Sequence, residues 1–146
     1  MSSGRDPLRS YDITTLWAGV DVVGDGTQNS DAFDLQKAPG TAVVSVIAGP
    51  CTAGATAFKL QERATTTATW TDVDSSALRN LTIDTTGFLS TSATVGLVQR
   101  VAFDTKDRAR YVRVVATHSG GGLDIIAGHI YLPTDTTVDS VPVGAF

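Results

Sequence analysis

The chain is short of the features that announce chemistry. It has one cysteine, Cys51, in 146 residues, so no internal disulfide can form, and the count favours assembly in a reducing compartment. Charged residues make up 18%, below the roughly 25% usual for globular domains, and lysine is scarce. The basic residues are dispersed and the formal net charge is −4, the opposite of the basic stripe that nucleic-acid binding calls for. No apolar run approaches the roughly 18–20 residues of a membrane-spanning helix. The opening MSSGRDPLRSYDITT lacks the apolar core of a signal peptide, so synthesis in a cytoplasm is expected. No window repeats apolar residues at helical spacing between caps, so almost no helix is expected. No internal repeat of fixed period is present.

What remains is β composition: abundant Thr and Val and 42% hydrophobic residues. The chain is long enough for one domain with a substantial core. The alternations predict strands over 16–23, 41–49, 56–63, 69–73, 96–103 and the two halves of 110–133, with a short one at 32–36 and weak ones within 75–95. GDGTQNSD (24–31) reads as a loop and DTKDR (104–108) as a tight turn. About eight short strands with turn signals every 8–12 residues indicate an all-β, two-sheet antiparallel sandwich or jelly-roll-like fold. Residues 1–15 read as a polar N-terminal arm, 16–133 as the sandwich and 134–146 as an extended tail. Polar ends hold one conformation only when tied down, and both are expected to lie against neighbouring subunits, with an arm folded back onto its own domain as the alternative.

Candidate chemistry can be weighed residue by residue. His118 and His129 flank the SGGG turn in RYVRVVATHSGGGLDIIAGHIYLP (110–133). On a hairpin they could face each other as a metal pair, but a structural site needs four ligands, and ordinary hydrogen-bonded histidines are the simpler reading. Cys51 has no nucleophile-elbow or helix-start context to activate it. Asp21, Asp25, Asp31 and Asp34 surround one loop without the spacing of a calcium loop. Asp72, Asp74 and Asp84 offer no distinguished glycosidase pair. SGGG lacks the Lys-Ser/Thr of a phosphate loop. Asn80-Leu81-Thr82 matches a glycosylation sequon by chance. The chain is therefore expected to be no enzyme and to hold no cofactor or metal.

The aromatic residues are more informative. Trp17, Trp70, Tyr111 and Tyr131 could build a sugar-stacking platform or an interface hot spot. In the run 111–117, Val112, Val114 and Ala116 share one face; Tyr111, Arg113, Val115 and Thr117 share the other. That second face is less polar than a solvated one should be, and Tyr beside Arg is interface-like. The expected interface residues are Tyr111, Arg113, Val115, Trp17 and Phe146.

VVSVIAG, then FKLQERATTTATWTDV, GLVQRVAF and RYVRV before a last apolar strand form a pattern over 41–133. It resembles the head decoration, cement or minor capsid β-sandwich proteins of tailed bacteriophages. The sequence departs from that pattern at Glu62-Arg63, where a Ser often follows, and in a longer Thr-rich connection. The resemblance implies a non-enzymatic virion protein on the capsid exterior that clamps subunits of the major capsid protein, often as a homotrimer. WTDV with RYVRV also resembles discoidin-like sandwiches, where the Arg-Tyr-Val-Arg strand is structural. That leaves a carbohydrate- or cell-surface-binding module, or a tail-fibre domain, as the alternative.

Overall fold

The computed structural model describes residues 11–22, 26–36, 40–49, 55–80, 89–91, 97–120 and 123–133. Within them lie twelve strands: β1 (Tyr11–Trp17), β2 (Val20–Val22), β3 (Gly26–Asn29), β4 (Phe33–Asp34), β5 (Thr41–Ala48), β6 (Ala55–Arg63), β7 (Thr71–Asp72), β8 (Arg79–Asn80), β9 (Leu89–Thr91), β10 (Leu97–Asp104), β11 (Tyr111–Ser119) and β12 (Leu123–Pro133). The helical content of the described residues is two 3-10 turns, Ser75–Ala77 and Thr105–Asp107.

The strands form two antiparallel sheets. Sheet A runs β1-β12-β5-β10-β8, with β2 also on β12; sheet B runs β3-β11-β6-β7, with β4 also on β11 and β9 also on β6. Three positions are each filled by two short strands set end to end. β1 and β2 share β12, β3 and β4 share β11, and β7 and β9 share β6. Counting each pair as one strand, and setting aside the two-residue β8, the order is first-eighth-third-sixth facing second-seventh-fourth-fifth. That is the eight-stranded jelly roll.

The breaks have local causes. Gly19 takes φ 92° between β1 and β2, a conformation other residues adopt only at a cost. Between β3 and β4 the Ser30 hydroxyl accepts from Val114 N at 2.9 Å while Ser30 N donates to Val114 O. The seryl side chain thereby stands in for a missing rung of the ladder.

The core lies between the sheets. From sheet A come Ala42, Val44, Val46 and Ala48 of β5, Val101 and Phe103 of β10, and Ile130 and Leu132 of β12; from sheet B come Phe58 and Leu60 of β6 and Val112, Val114 and Ala116 of β11. The period of two puts these residues on the inner faces. Each fully buried large side chain contributes about 1.5–3 kcal/mol.

Several expectations are corrected. The strand expected over 16–23 is two strands, with pairing already begun at Tyr11, inside the segment read as an arm. Gly26–Asn29, read as part of a loop, is an edge strand on β11. The hairpin expected from 110–133 does not exist as a pair: β11 lies in sheet B and β12 in sheet A. Both flanks of β11 are already occupied, by β3 and β4 on one side and β6 on the other, so the chain crosses to the opposite sheet. Residues 1–10 and the tail 134–146, Phe146 included, lie outside the described residues, as do Cys51, Asp25 and Asp84.

Candidate interaction faces

Alternation along β6 and β11 sends Lys59, Gln61 and Arg63, and Tyr111, Arg113 and Val115, to the outer face of sheet B. The register sets Tyr111 opposite Arg63, Arg113 opposite Gln61 and Val115 opposite Lys59. β7 adds Asp72 beside Gln61, and Trp70 is brought over this face by the connection that precedes β7.

These side chains are joined to one another. Lys59 Nζ lies 3.0 Å from Asp72 Oδ2, and Gln61 Nε2 donates to Asp72 Oδ1 at 2.7 Å. Arg113 donates through Nε and one terminal nitrogen to Gln61 Oε1 at 2.9 and 2.8 Å. The guanidinium carbons of Arg63 and Arg113 lie 4.3 and 4.4 Å from the centre of the Trp70 ring, within cation–π range. Arg63 and Arg110 also approach the Tyr111 ring, at 5.8 and 5.2 Å. Arg110 grips Asp34 with Nε and a terminal nitrogen at 2.9 and 2.8 Å.

Charge on this face is unevenly matched. The hydrogen bonds from Arg110 hold the Asp34 carboxyl below its ordinary pKa, and those from Gln61 and then Lys59 do the same for Asp72. Glu62 accepts from Ala109 N at 2.7 Å and from Arg108 at 3.3 Å. Among the described residues Arg113 hydrogen-bonds to the neutral Gln61 alone; burial, and then the neighbouring Arg63 charge, lower its pKa. The Arg63 side chain makes no hydrogen bond or ion pair among the described residues, and its Nε is buried without a partner there.

Sheet A has a different exterior. Its register lines up Ile13, Tyr131, Val43 and Ala102 across four adjacent strands. Their sequence neighbours Val44, Ile130, Leu132, Val101 and Phe103 are core, so this row points outward. Ala102 is buried at 4% exposure, Tyr131 and Val43 are half-buried, and Ile13 is a large apolar side chain left 61% exposed.

The expected interface residues are thus separated. Tyr111 and Arg113 lie half-buried on the outer face of sheet B, and Val115, on the same face, is only 3% exposed. Trp17 is corrected: it is a core residue at 4% exposure, edge-on to Phe58 with ring centres 6.2 Å apart, its Nε1 donating to Asn29 O at 3.2 Å. Its ring is closed off from any partner. The outward apolar row was not anticipated, although TAVVSVIAG, apolar on both faces, carried the signal for Val43.

The chemical candidates are dispersed as well. His118 is buried on the inner face of sheet B and His129 is half-buried in sheet A, so the two are not cross-strand neighbours. Among the described residues no three His, Cys, Asp or Glu side chains converge on a metal-sized site. Asp34 and Asp72 are held in the pairs above, and Asp74 caps the first 3-10 turn by accepting from Ser76 N at 2.8 Å. Two clefts of about 250 and 260 Å³ flank the second 3-10 turn; their charged lining is Arg79, Asp104, Asp107 and Arg108 in one and Lys106, Arg108 and Arg110 in the other.

Fold and faces define an all-β, two-sheet jelly-roll sandwich whose distinctive side chains are displayed on sheet faces. No protein-family model matches the chain, and no curated protein does. Among solved structures it is similar to the SPBc2 prophage-derived protein YomS, with 15% identity over 83% of this chain and 94% of that chain and a TM-score of 0.38. A likeness of that size assigns neither family nor function.

Proposed function

We propose that this chain is a non-enzymatic structural protein of a tailed-bacteriophage virion that decorates the capsid exterior and clamps subunits of the major capsid protein, as a homotrimer. The sequence pattern over 41–133 supports the virion context. The observation that carries the docking role is the apolar row Ile13, Tyr131, Val43 and Ala102 on the outer face of sheet A. Ile13, 61% exposed, heads this row with half-buried Tyr131 and Val43 beside it; exposed apolar surface of this kind marks protein contact, and a sheet face covers a broad, shallow partner better than a cleft does. Binding the assembled shell alone would stabilise it by mass action.

One observation favours a second reading. Trp70 and Tyr111 stand on one outer face, linked through Arg63, as the aromatic groups of a carbohydrate-binding module do. Co-sedimentation with expanded capsids that lack decoration, run beside a glycan array, separates the two. Saturable capsid binding supports decoration. Binding to glycans with none to capsids overturns it in favour of the module.

A further inference from the structure

Among the described residues, the outer face of sheet B holds two cations, Arg63 and Arg113, without an anion partner. Arg63 and Arg113 sit on one indole ring, yet every carboxylate described on that face is engaged elsewhere, Asp72 by Lys59 and Gln61 and Asp34 by Arg110. The buried Arg63 Nε has no acceptor, and an unsatisfied buried donor is costly. Burial, and then the neighbouring Arg63 charge, lower the Arg113 pKa, so some repulsion between the two guanidinium groups is present in the free protein. An anion that accepts from the terminal nitrogens of Arg63 and Arg113 would answer both charges at once. The ring holds the guanidinium groups in place beforehand, which reduces the ordering cost of binding.

We propose that Arg63, Arg113 and Trp70 form a seat for a carboxylate side chain presented by an acidic segment of a partner protein. A carboxylate matches the planar fork of arginine in charge and geometry. Tyr111 and the Lys59 stem extend the same face along β11 and β6, giving an extended peptide a surface on either side of the seat. This inference rests on the reading that the chain docks on another protein, and it adds the partner's chemistry at a face distinct from the apolar row.

The test uses the full chain labelled with ¹⁵N and follows the indole N–H resonance of Trp70, assigned with Trp70→Phe. Hexaglutamate should shift that resonance saturably, hexalysine should not, and added salt should weaken the effect. Arg63→Gln, which loses no hydrogen bond among the described residues, should weaken hexaglutamate binding by about tenfold, the order expected for one charge-assisted hydrogen bond. Arg113→Gln should do the same, with the remaining spectrum reporting an intact fold. No shift with hexaglutamate, or an equal shift in both variants, overturns the seat. A shift with a sialylated oligosaccharide but none with hexaglutamate overturns it in favour of an acidic glycan. The titration contains no capsid, so the seat fails or stands separately from decoration: wild-type and Arg63→Gln proteins that sediment equally with capsids refute the seat alone.

Discussion

Gly128 lies against Trp17 so closely that a Cβ there would stand 2.9 Å from the indole Cε3. The ring cannot retreat, because it is 4% exposed and fixed by Phe58 on one side and by its bond to Asn29 O on another. β12 therefore needs glycine at this rung for β1 to close over the core. Gly128→Ala should destabilise the protein by about 1–3 kcal/mol through overpacking, measured as a drop in the urea midpoint.

The two tryptophans should behave oppositely. Trp17→Ala opens a core cavity and should cost about 3–5 kcal/mol. Trp70→Ala removes a ring from an outer face and should cost about 1 kcal/mol, the scale of a partly solvated cation–π contact. Acrylamide quenching of the single-tryptophan variants Trp17→Phe and Trp70→Phe should show Trp70 accessible and Trp17 shielded.

The ion pairs differ by burial. Glu62 and Arg108 have side chains 19% and 13% exposed, and Glu62 also satisfies Ala109 N. Glu62→Gln should cost about 1–3 kcal/mol by weakening a charged acceptor in a half-buried site. Arg79 and Asp104 are 63% and 53% exposed, and Asp104→Asn should cost below about 1 kcal/mol. Urea denaturation of the two variants gives the comparison.

Acid should loosen the outer face of sheet B. Asp34 and Asp72 have folded pKa values below the ordinary carboxylate value. Their contribution is therefore complete above the unfolded value, about pH 4, and is lost as pH falls through the folded values. The urea midpoint should decline below about pH 4, and Asp34→Asn combined with Asp72→Asn should flatten that decline.

Local pattern was a good guide where a strand's own residues decide its state. Thr41–Ala48 and Ala55–Arg63 alternate or run apolar, and the sandwich follows from them. It was a poor guide where distant pairing decides. GTQN is polar and reads as a loop, yet β11 offers it an edge. Residues 110–133 read as a hairpin because adjacency in sequence says nothing about the flanks of β11, already filled by strands from far earlier in the chain. The interaction faces were half legible. Tyr111 and Arg113 were visible from alternation; the meeting of Arg63 with Trp70 depends on how an irregular connection returns over the sheet. Glu62-Arg63, the site of departure from the decoration-protein pattern, supplies the half-buried acceptor for Ala109 and a cation beside Trp70 whose side chain has no ion-pair partner among the described residues.

The docking claim is tested most directly by quantitative co-sedimentation of wild-type protein and Ile13→Asp with expanded, decoration-free capsids. Ile13 is 61% exposed, so the substitution should leave the urea midpoint nearly unchanged. Saturable binding by the wild type and binding about tenfold weaker by Ile13→Asp is the predicted result, since a charge set into an apolar contact must be desolvated without a partner. Equal binding by both proteins, or none by the wild type, would contradict the account.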